Sequence, residues 1–337
     1  MRINTKLWRA ALYFFFTLFC GLWLSMLLAG CAPQTEAANK RVVLYCSVDS
    51  VYARPLIEKL RAQTGLEIEP IFDTEATKTA GLANKMRAEK ARPRADVFWS
   101  SALLQTLLMS EDGLLEPYES SAAQDLPPQF RGKDWAGMGV RGRILVSGEA
   151  ANLESLQTTA KSAKWAHSNP QFGTASDQFA AWSARDGKEA ALRFWRASKR
   201  NGMRVLPGNG DTASAVANGD LDFGWTDTDD FLAQKREGKT LFTVKTTRDN
   251  VLIPGTVSVV KGAPNPENAR KLFDAIVSAQ NEAALAKQMP GVFSLRKLEE
   301  KSNWQSGGEH FEFLGNAPRD DYKKWPKEWR EIREELR

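Results

Sequence analysis

Acidic and hydroxyl residues gather in four short segments of the chain. The densest is Thr226-Asp227-Thr228-Asp229-Asp230, which directly follows Trp225. Three carboxylates within four residues repel one another unless water, helix N–H groups or a cation neutralises them. An N-cap accounts for part of this: Thr228 or Asp229 would cap the helix that follows, and acids are favoured near its positive end. The third acid is less well accounted for, and oxygen-rich clusters suit hard cations or ammonium groups. Ser47-Val48-Asp49-Ser50 and Asp73-Thr74-Glu75-Ala76-Thr77-Lys78-Thr79 add Asp49, Glu75 and Thr77 as candidate ligands, although each alone also reads as a cap or a solvated loop residue. Gly173-Thr174-Ala175-Ser176-Asp177 brings hydroxyls and main-chain N–H groups to a helix start. That geometry welcomes an anion held by Thr174 and Ser176, with Lys78 and Arg143 adding positive charge; an ordinary cap is the competing reading. Ser100, directly after Trp99, is a further candidate. Trp99, Trp182 and Trp225 read as core or wall, although a cleft aromatic such as Trp99 or Trp225 could stack on a ligand.

The elements that must hold these segments follow from hydrophobic periodicity. Residues 41–46 form a short apolar run of the buried parallel-strand type. Ala53, Leu56, Ile57 and Leu60 follow at helical spacing, with Gly65 as the stop. Strands at 66–72 and 95–99 alternate with helices at 75–90 and 103–108, an order that argues for an α/β lobe with a largely parallel sheet. A second α/β lobe reads from a strand at 143–147, helices at 177–184 and 188–198, strands at 204–206, 221–225 and 241–245, and helices at 212–218 and 230–236. A long β-rich run at 251–260 precedes an amphipathic helix at 266–279, with Ala269, Leu272, Phe273 and Ile276 on one face. A surface helix over 328–337 ends the chain. In open α/β sheets ligands sit at the carboxyl ends of strands, where the four polar segments fall.

The first thirty residues stand apart. Arg2, Lys6 and Arg9 precede an uncharged apolar run that ends in Leu28-Ala29-Gly30-Cys31, the layout of an export signal. A retained membrane anchor is the alternative, since the run is about long enough to span a bilayer. The whole chain of 337 residues carries 46 Lys and Arg against 41 Asp and Glu, or +5. Without the leader the balance is 43 against 41, with basic and acidic residues interleaved, which argues against nucleic acid. Three cysteines exclude a disulfide scaffold, and Cys46 reads as a buried small hydrophobe. Two histidines make a His-rich centre unlikely, and no GxSxG, phosphate-loop or HExxH motif occurs.

The Leu-Ala-Gly-Cys ending resembles the lipobox of bacterial lipoproteins, which implies cleavage before Cys31 and lipidation of its sulfur. Over residues 41–296 the chain resembles the extracellular solute-binding proteins of ABC importers, in the branch that includes ferric-ion-binding proteins. The resemblance rests on segments in the family's order: Val43-Leu44-Tyr45, Thr64-Gly65-Leu66-Glu67-Ile68, Ala95-Asp96-Val97-Phe98-Trp99 and Gly113-Leu114-Leu115-Glu116-Pro117-Tyr118. Lys133-Asp134-Trp135 then leads to Gly142-Arg143-Ile144-Leu145-Val146, followed by Ala215-Val216-Ala217-Asn218-Gly219-Asp220 and Val257-Ser258-Val259-Val260-Lys261-Gly262-Ala263-Pro264. It implies an α/β, two-lobed periplasmic-binding-protein-like fold (type II) that closes on one ligand by hinge motion. The expected layout is a signal peptide at 1–30, a tether at 31–40, lobe 1 at 41–100 plus 255–290, lobe 2 at 101–254 and a C-terminal extension at 291–337.

Ferric members of that family hold iron with a His, a Glu and two adjacent tyrosines. On this chain the histidine falls at Asp49, the glutamate in the 75–77 stretch where Glu75 is the only carboxylate, and the tyrosine pair at Asp229-Asp230. The phenolate pattern is therefore replaced at the aligned positions. The resemblance implies a monomeric, non-enzymatic binding lipoprotein outside the cytoplasm, anchored through Cys31 and serving an inner-membrane ABC permease. No cofactor is required; ferric iron or another hard cation would be the transported ligand, on Asp49, Glu75, Asp229 and Asp230, with Asp227 adding oxygens. A cationic organic solute oriented by the same acids is the second hypothesis. A metal-assisted extracytoplasmic hydrolase is a distant third, lacking a recognised nucleophile, base or metal motif.

Overall fold

Strand β1 (Arg41–Cys46) lies between two parallel neighbours. The computed structural model describes residues 40–73, 79–150, 163–244, 251–298, 305–306, 308–311 and 322–337. The leader with Cys31 and the candidates Glu75 and Thr77 lie outside the described residues. After β1 come α1 (Ser50–Thr64), β2 (Glu67–Phe72), α2 (Ala80–Ala88), β3 (Val97–Ser100) and α3 (Leu104–Glu111). The α1 stripe of Ala53, Leu56, Ile57 and Leu60 is buried as its spacing predicts. Gly65, with φ of 68°, ends that helix by returning its N–H to the Arg61 carbonyl at 2.9 Å.

The next stretch holds β4 (Ala136–Ser147), β5 (Trp165–Ser168), α4 (Gly173–Asp186), α5 (Lys188–Arg200), β6 (Arg204–Leu206), α6 (Asn209–Ala217), β7 (Phe223–Asp227), α7 (Thr228–Arg236) and β8 (Phe242–Val244). Then come β9 (Val251–Val259), α8 (Pro266–Val277), α9 (Ala279–Gln288), β10 (Val292–Phe293), the small pair β11 (Gln305–Ser306) and β12 (Glu309–His310), and α10 (Trp325–Ile332). The main sheet runs β2-β1-β3-β9-β4-β7-β5-β6, with β8 and β10 also paired to β4. Several boundaries differ from the periodicity. β4 extends back to Ala136, because its first half pairs with β9 (Ala136↔Val257) and its second with β7 (Ser147↔Phe223). The terminal helix starts at Trp325, whose ring with Trp329 and Ile332 packs inward against α4 and its neighbours. β10 pairs with β4 at Val140 and Arg141, so residues 292–293 belong to the sheet.

Two long strands fix where the loops meet. β3 pairs antiparallel with β9, β9 with β4, and β4 with β7. Three reversals give β7 the opposite direction to β1 and β3. The carboxyl end of β3 stops at Thr256 of β9, and that of β7 stops at Arg143 of β4, which pairs with Val251. The carboxyl ends of the two halves therefore face each other across the middle of β4 and β9. Parallel β5, β6 and β7 bring the starts of α4, α6 and α7 to the same place.

The start of α7 is held from behind. Thr228 accepts the Gly142 N–H at 3.1 Å and donates to the Gly291 carbonyl at 2.5 Å. Gly291 has φ of 91°, and a Cβ there would lie 2.4 Å from the Asp229 nitrogen. Gly291→Ala is expected to cost on the order of 3 kcal/mol, through strain and displacement of α7. Gly202→Ala, at φ of 79° with open space around it, should lose only about 1 kcal/mol. Denaturant midpoints compare them, and an equal loss in both would contradict this contact's importance.

Candidate functional site

The sequence places an arginine at alternate positions of β4, Arg141 and Arg143, so both side chains leave the same face of the strand. Asp227 is the cross-strand partner of Arg143 in the β4–β7 register. Asp229 and Asp230 follow in the first turn of α7. One oxygen from each of these three carboxylates lies within 4.8 Å of the others. The two arginines neutralise most of that charge. Arg143 Nη1 donates to Asp227 Oδ1 at 3.0 Å, with both side chains fully buried. Arg141 Nη1 donates to Asp229 Oδ2 at 2.8 Å and lies 3.7 Å from Asp227 Oδ2. Burial acts to lower the Arg141 pKa, but Asp229, Asp227, Asp49 and Asp230 outweigh it and raise it, so the guanidinium remains charged.

This corrects the capping expectation for the acidic segment. The residue in the N-cap position of α7 is Asp227, not Thr228 or Asp229, and its carboxylate makes no capping bond to that helix. It accepts instead from the Thr174 hydroxyl at 2.7 Å and the Asn209 amide at 2.9 Å. Beneath these, Arg143 Nε donates to Gln178 Oε1 at 3.0 Å, and His167 Nε2 meets the same oxygen at 2.9 Å. Burial first, then the nearby Arg143 charge, pushes His167 down to about 3, so it sits neutral in the floor.

Above this floor lies a pocket of about 350 Å³. Asp49 enters it from the start of α1, Ser168 and Gly173 from the approach to α4, Asn209 from the start of α6, and Asp230 from the first turn of α7. Asp49 and Asp230 are both half-buried. The fold thus brings two of the sequence-predicted acids to one cavity from opposite halves of the sheet. Asp227 and Asp229 lie below it in the arginine pairs. Ser176 turns its hydroxyl back to the Gly173 carbonyl at 2.6 Å, and Thr174 is engaged by Asp227. Ser100 is buried, donating to the Ala102 carbonyl at 2.6 Å at the end of β3. Trp225 is 3% exposed and meets Trp182 edge-on at 5.3 Å; Trp99 is fully buried. Both indoles therefore pack in the core, and neither lines the pocket. Cys46 is buried too, which raises its thiol pKa and leaves it a packing residue.

Several residues of the site were not singled out from sequence. Arg141 fell outside the expected strand; two arginines spaced i, i+2 in a run of small and apolar residues are the signal that would have found them. Asn209 sits in a Gly-Asn-Gly-Asp segment that reads as a turn, and Ser168 ends a four-residue strand too short for periodicity. Thr79 is the one described non-glycine residue with positive φ, 66°, an uncommon geometry for a β-branched side chain. It is buried and donates to Ser47 Oγ at 3.1 Å, which also accepts the Ser101 N–H at 2.9 Å. These hydroxyls fasten the segment after residue 78 to the ends of β1 and β3.

Residues 50–283 match the bacterial extracellular solute-binding protein family. The chain belongs to that family. Among curated relatives, iron uptake protein A1 of Synechocystis sp. is 27% identical over 293 residues, covering 78% of this chain and 80% of its own length. Among solved structures, iron-bound HitA from Pseudomonas aeruginosa superposes with a TM-score of 0.74 at 19% identity, covering 88% of this chain and 98% of that one. A Trichodesmium protein in complex with iron and citrate ligands gives 0.68 at 19% identity, covering 88% and 98%. The architecture is thus the α/β periplasmic-binding-protein fold. Family and homologues are solute-binding transport proteins rather than enzymes.

One more buried acid belongs to this region. Asp177, in the first turn of α4, accepts the Leu103 and Leu104 N–H groups at 2.8 and 3.0 Å, tying α4 to the start of α3. Burial raises its carboxyl to about 7, and the charge of Asp227 adds to the rise. A raised folded-state value stabilises fully below the unfolded value of about 4 and is lost as pH rises through about 7. Asp177→Asn keeps an acceptor for both N–H groups. The variant should therefore lose less stability than the wild type between pH 5 and pH 8. Parallel curves in chemical denaturation at the two pH values would refute the assignment.

Proposed function

We propose that this chain is the substrate-binding component of an ABC importer and that it captures a hard metal cation, ferric iron first among them, between Asp49 and Asp230. The observation that carries the proposal is the arrival of these two half-buried carboxylates in one cavity from opposite halves of the sheet. Arg143 and Arg141 pair with Asp227 and Asp229, and Asp49 and Asp230 bring two further carboxylates to the cavity itself. Carboxylate oxygens are the ligands hard cations select. Relatives that bear the names iron uptake protein A1 and major ferric iron-binding protein support the same cargo. Glu75, in the segment between β2 and α2, is the third acid assigned to the cation. The middle of β4 and β9 would act as the hinge, with an irregular register between Gly137 and Val140 and φ of 71° at Gly139. In this reading the chain is exported, held at the membrane through lipidated Cys31, works as a monomer and passes its cargo to the permease.

A second reading, a cationic organic solute, is supported by the cavity's size, which exceeds that of a bare ion. It is weakened by the burial of Trp99 and Trp225, which removes the stacking partners it called for.

Metal-free protein exposed to ferric nitrilotriacetate and desalted should retain near one equivalent of iron by elemental analysis. Asp49→Asn and Asp230→Asn should each weaken binding roughly a hundredfold, about 3 kcal/mol, without changing the melting temperature of the metal-free protein. Retention of iron by the double variant at wild-type affinity would place the cargo elsewhere. Absence of iron, with melting stabilised by cationic organic solutes, would favour the second reading.

A further inference from the structure

We propose that the end of the sheet where the chain enters β1 is a docking surface for anionic phospholipid, with the cavity between Lys90, Arg94 and Lys261 seating a headgroup phosphate. The inference rests on the lipid-anchored reading above and is independent of which cargo the receptor carries.

Strand register builds this end. Leu44 pairs with Val97 in the parallel β1–β3 ladder, and Val97 with Val259 in the antiparallel β3–β9 ladder. Carried outwards, the same register brings Lys40, the Pro93-Arg94 step and Lys261 to one end of the sheet. Lys40, Arg94 and Lys261 are all exposed there. The segment 85–94 that leads towards β3 carries Lys85, Arg87, Lys90, Arg92 and Arg94 against the single acid Glu89. Over the chain after its leader the two signs nearly balance, so the excess here is local.

Part of the charge is matched within the fold. Arg87 bonds Asp112 at 2.9 Å, Arg41 bonds Glu69 at 2.9 Å, and Glu89 accepts the Tyr45 hydroxyl at 2.9 Å. Glu67, opposite Arg41 in the β1–β2 ladder, adds one exposed negative charge. Lys90 donates to the Asp112 main-chain carbonyl at 2.8 Å, which leaves its charge in place. Arg92, Arg94 and Lys261 form no ion pair among the described residues. Between Lys90, Arg94 and Lys261 opens a cavity of about 410 Å³, with Leu114 and Val260 in its wall and Glu89 the one acid among the described lining residues. Cations set around an apolar wall suit a phosphate carried on a glycerol.

The tether from Cys31 arrives at this same end. Residues 32–40 reach at most about 30 Å when fully extended. That is less than the roughly 50 Å width of a folded chain of this size. With the Cys31 lipid in the bilayer, the end bearing Lys40 cannot move farther away than that reach. Basic side chains feel an anionic surface only within about 10 Å, so a short tether is what brings the patch into range. The anchor supplies the hold, and the patch fixes which face lies on the lipid. Asp49 follows the opposite end of β1, so docking by this face keeps the proposed cargo cavity clear of the membrane.

The test floats leader-free chain carrying Cys31→Ser, and so no lipid, with vesicles of phosphatidylcholine alone or with about 30 mol % phosphatidylglycerol. Partitioning should rise about tenfold with phosphatidylglycerol and fall back as salt is raised from about 0.05 to 0.5 M. Arg94→Glu with Lys261→Glu should reduce it to the phosphatidylcholine level, with melting temperature and iron retention unchanged. Arg193→Glu with Arg200→Glu, the same reversal on exposed positions of α5, should leave it as it was. Equal partitioning onto both vesicles, or an equal loss in the two double variants, overturns the inference. Release by inorganic phosphate at constant ionic strength also overturns it, since the cavity would then be a free-anion site. If the Arg94 and Lys261 reversal does not fold, Arg94→Ala is compared with Arg193→Ala by the same criterion. Labelled palmitate fed to cells expressing the full chain reads the anchor separately. An unlabelled Cys31 overturns the anchored reading, a different result from labelled protein whose soluble form ignores phosphatidylglycerol.

Discussion

The ion pair between Arg143 and Asp227 is the constraint on which the site depends. Both side chains are wholly removed from solvent, and each is the other's cross-strand neighbour. A buried pair of this kind is weak support for stability as such, since desolvating two charges offsets much of their attraction. Removing one member is another matter: an uncompensated buried charge costs about 3–5 kcal/mol. The pair therefore acts as a lock on register. A one-residue slip between β4 and β7 would put Arg143 and Asp227 on opposite faces of the sheet and leave each buried without the other. With the register fixed, Arg141 falls beside Asp229, α7 starts where it does, and Asp230 reaches the cavity.

From that lock the rest of the floor follows in sequence. The oxygens of Asp227 hold Thr174 and Asn209, which begin or nearly begin α4 and α6. Gln178, bonded to Arg143, positions neutral His167, and the aromatic cluster of Phe179, Trp182, Phe194 and Trp195 packs behind it. In the proposed receptor, a base tied together by these bonds would let the geometry offered to the cargo depend on closure. Asp49 lies on the other half of the sheet, so in the proposed hinge reading the bend of β4 and β9 would set the distance between the two acids.

Much of this was legible in the residues. The stripes of α1 and α8 predicted buried faces that are buried, and the alternation of strands and helices predicted an α/β fold with polar segments at the strand ends. The crowding of Asp227, Asp229 and Asp230 correctly signalled a need for neutralisation. Its resolution was not legible, because the cations come from β4, more than eighty residues earlier, and only the antiparallel register brings them opposite. Likewise Asn209 looks like turn chemistry until the parallel order of β5, β6 and β7 places its segment against α4. Burial of Trp225 followed the default expectation for a strand tryptophan, and its place as a ligand wall did not survive packing against Trp182. Short pieces such as β5 and β10 carry too few residues for a period and exist because the sheet offers them edges.

The central proposal is that Asp49 and Asp230, rather than the arginine-paired Asp227 and Asp229, would hold the cargo. Anomalous scattering at the iron edge from crystals of the iron-loaded chain tests it most directly. The account predicts a single strong peak between the Asp49 and Asp230 carboxylates, with Asp227 still bonded to Arg143. A peak coordinated by Asp227 and Asp229, with Arg141 and Arg143 displaced, would contradict it.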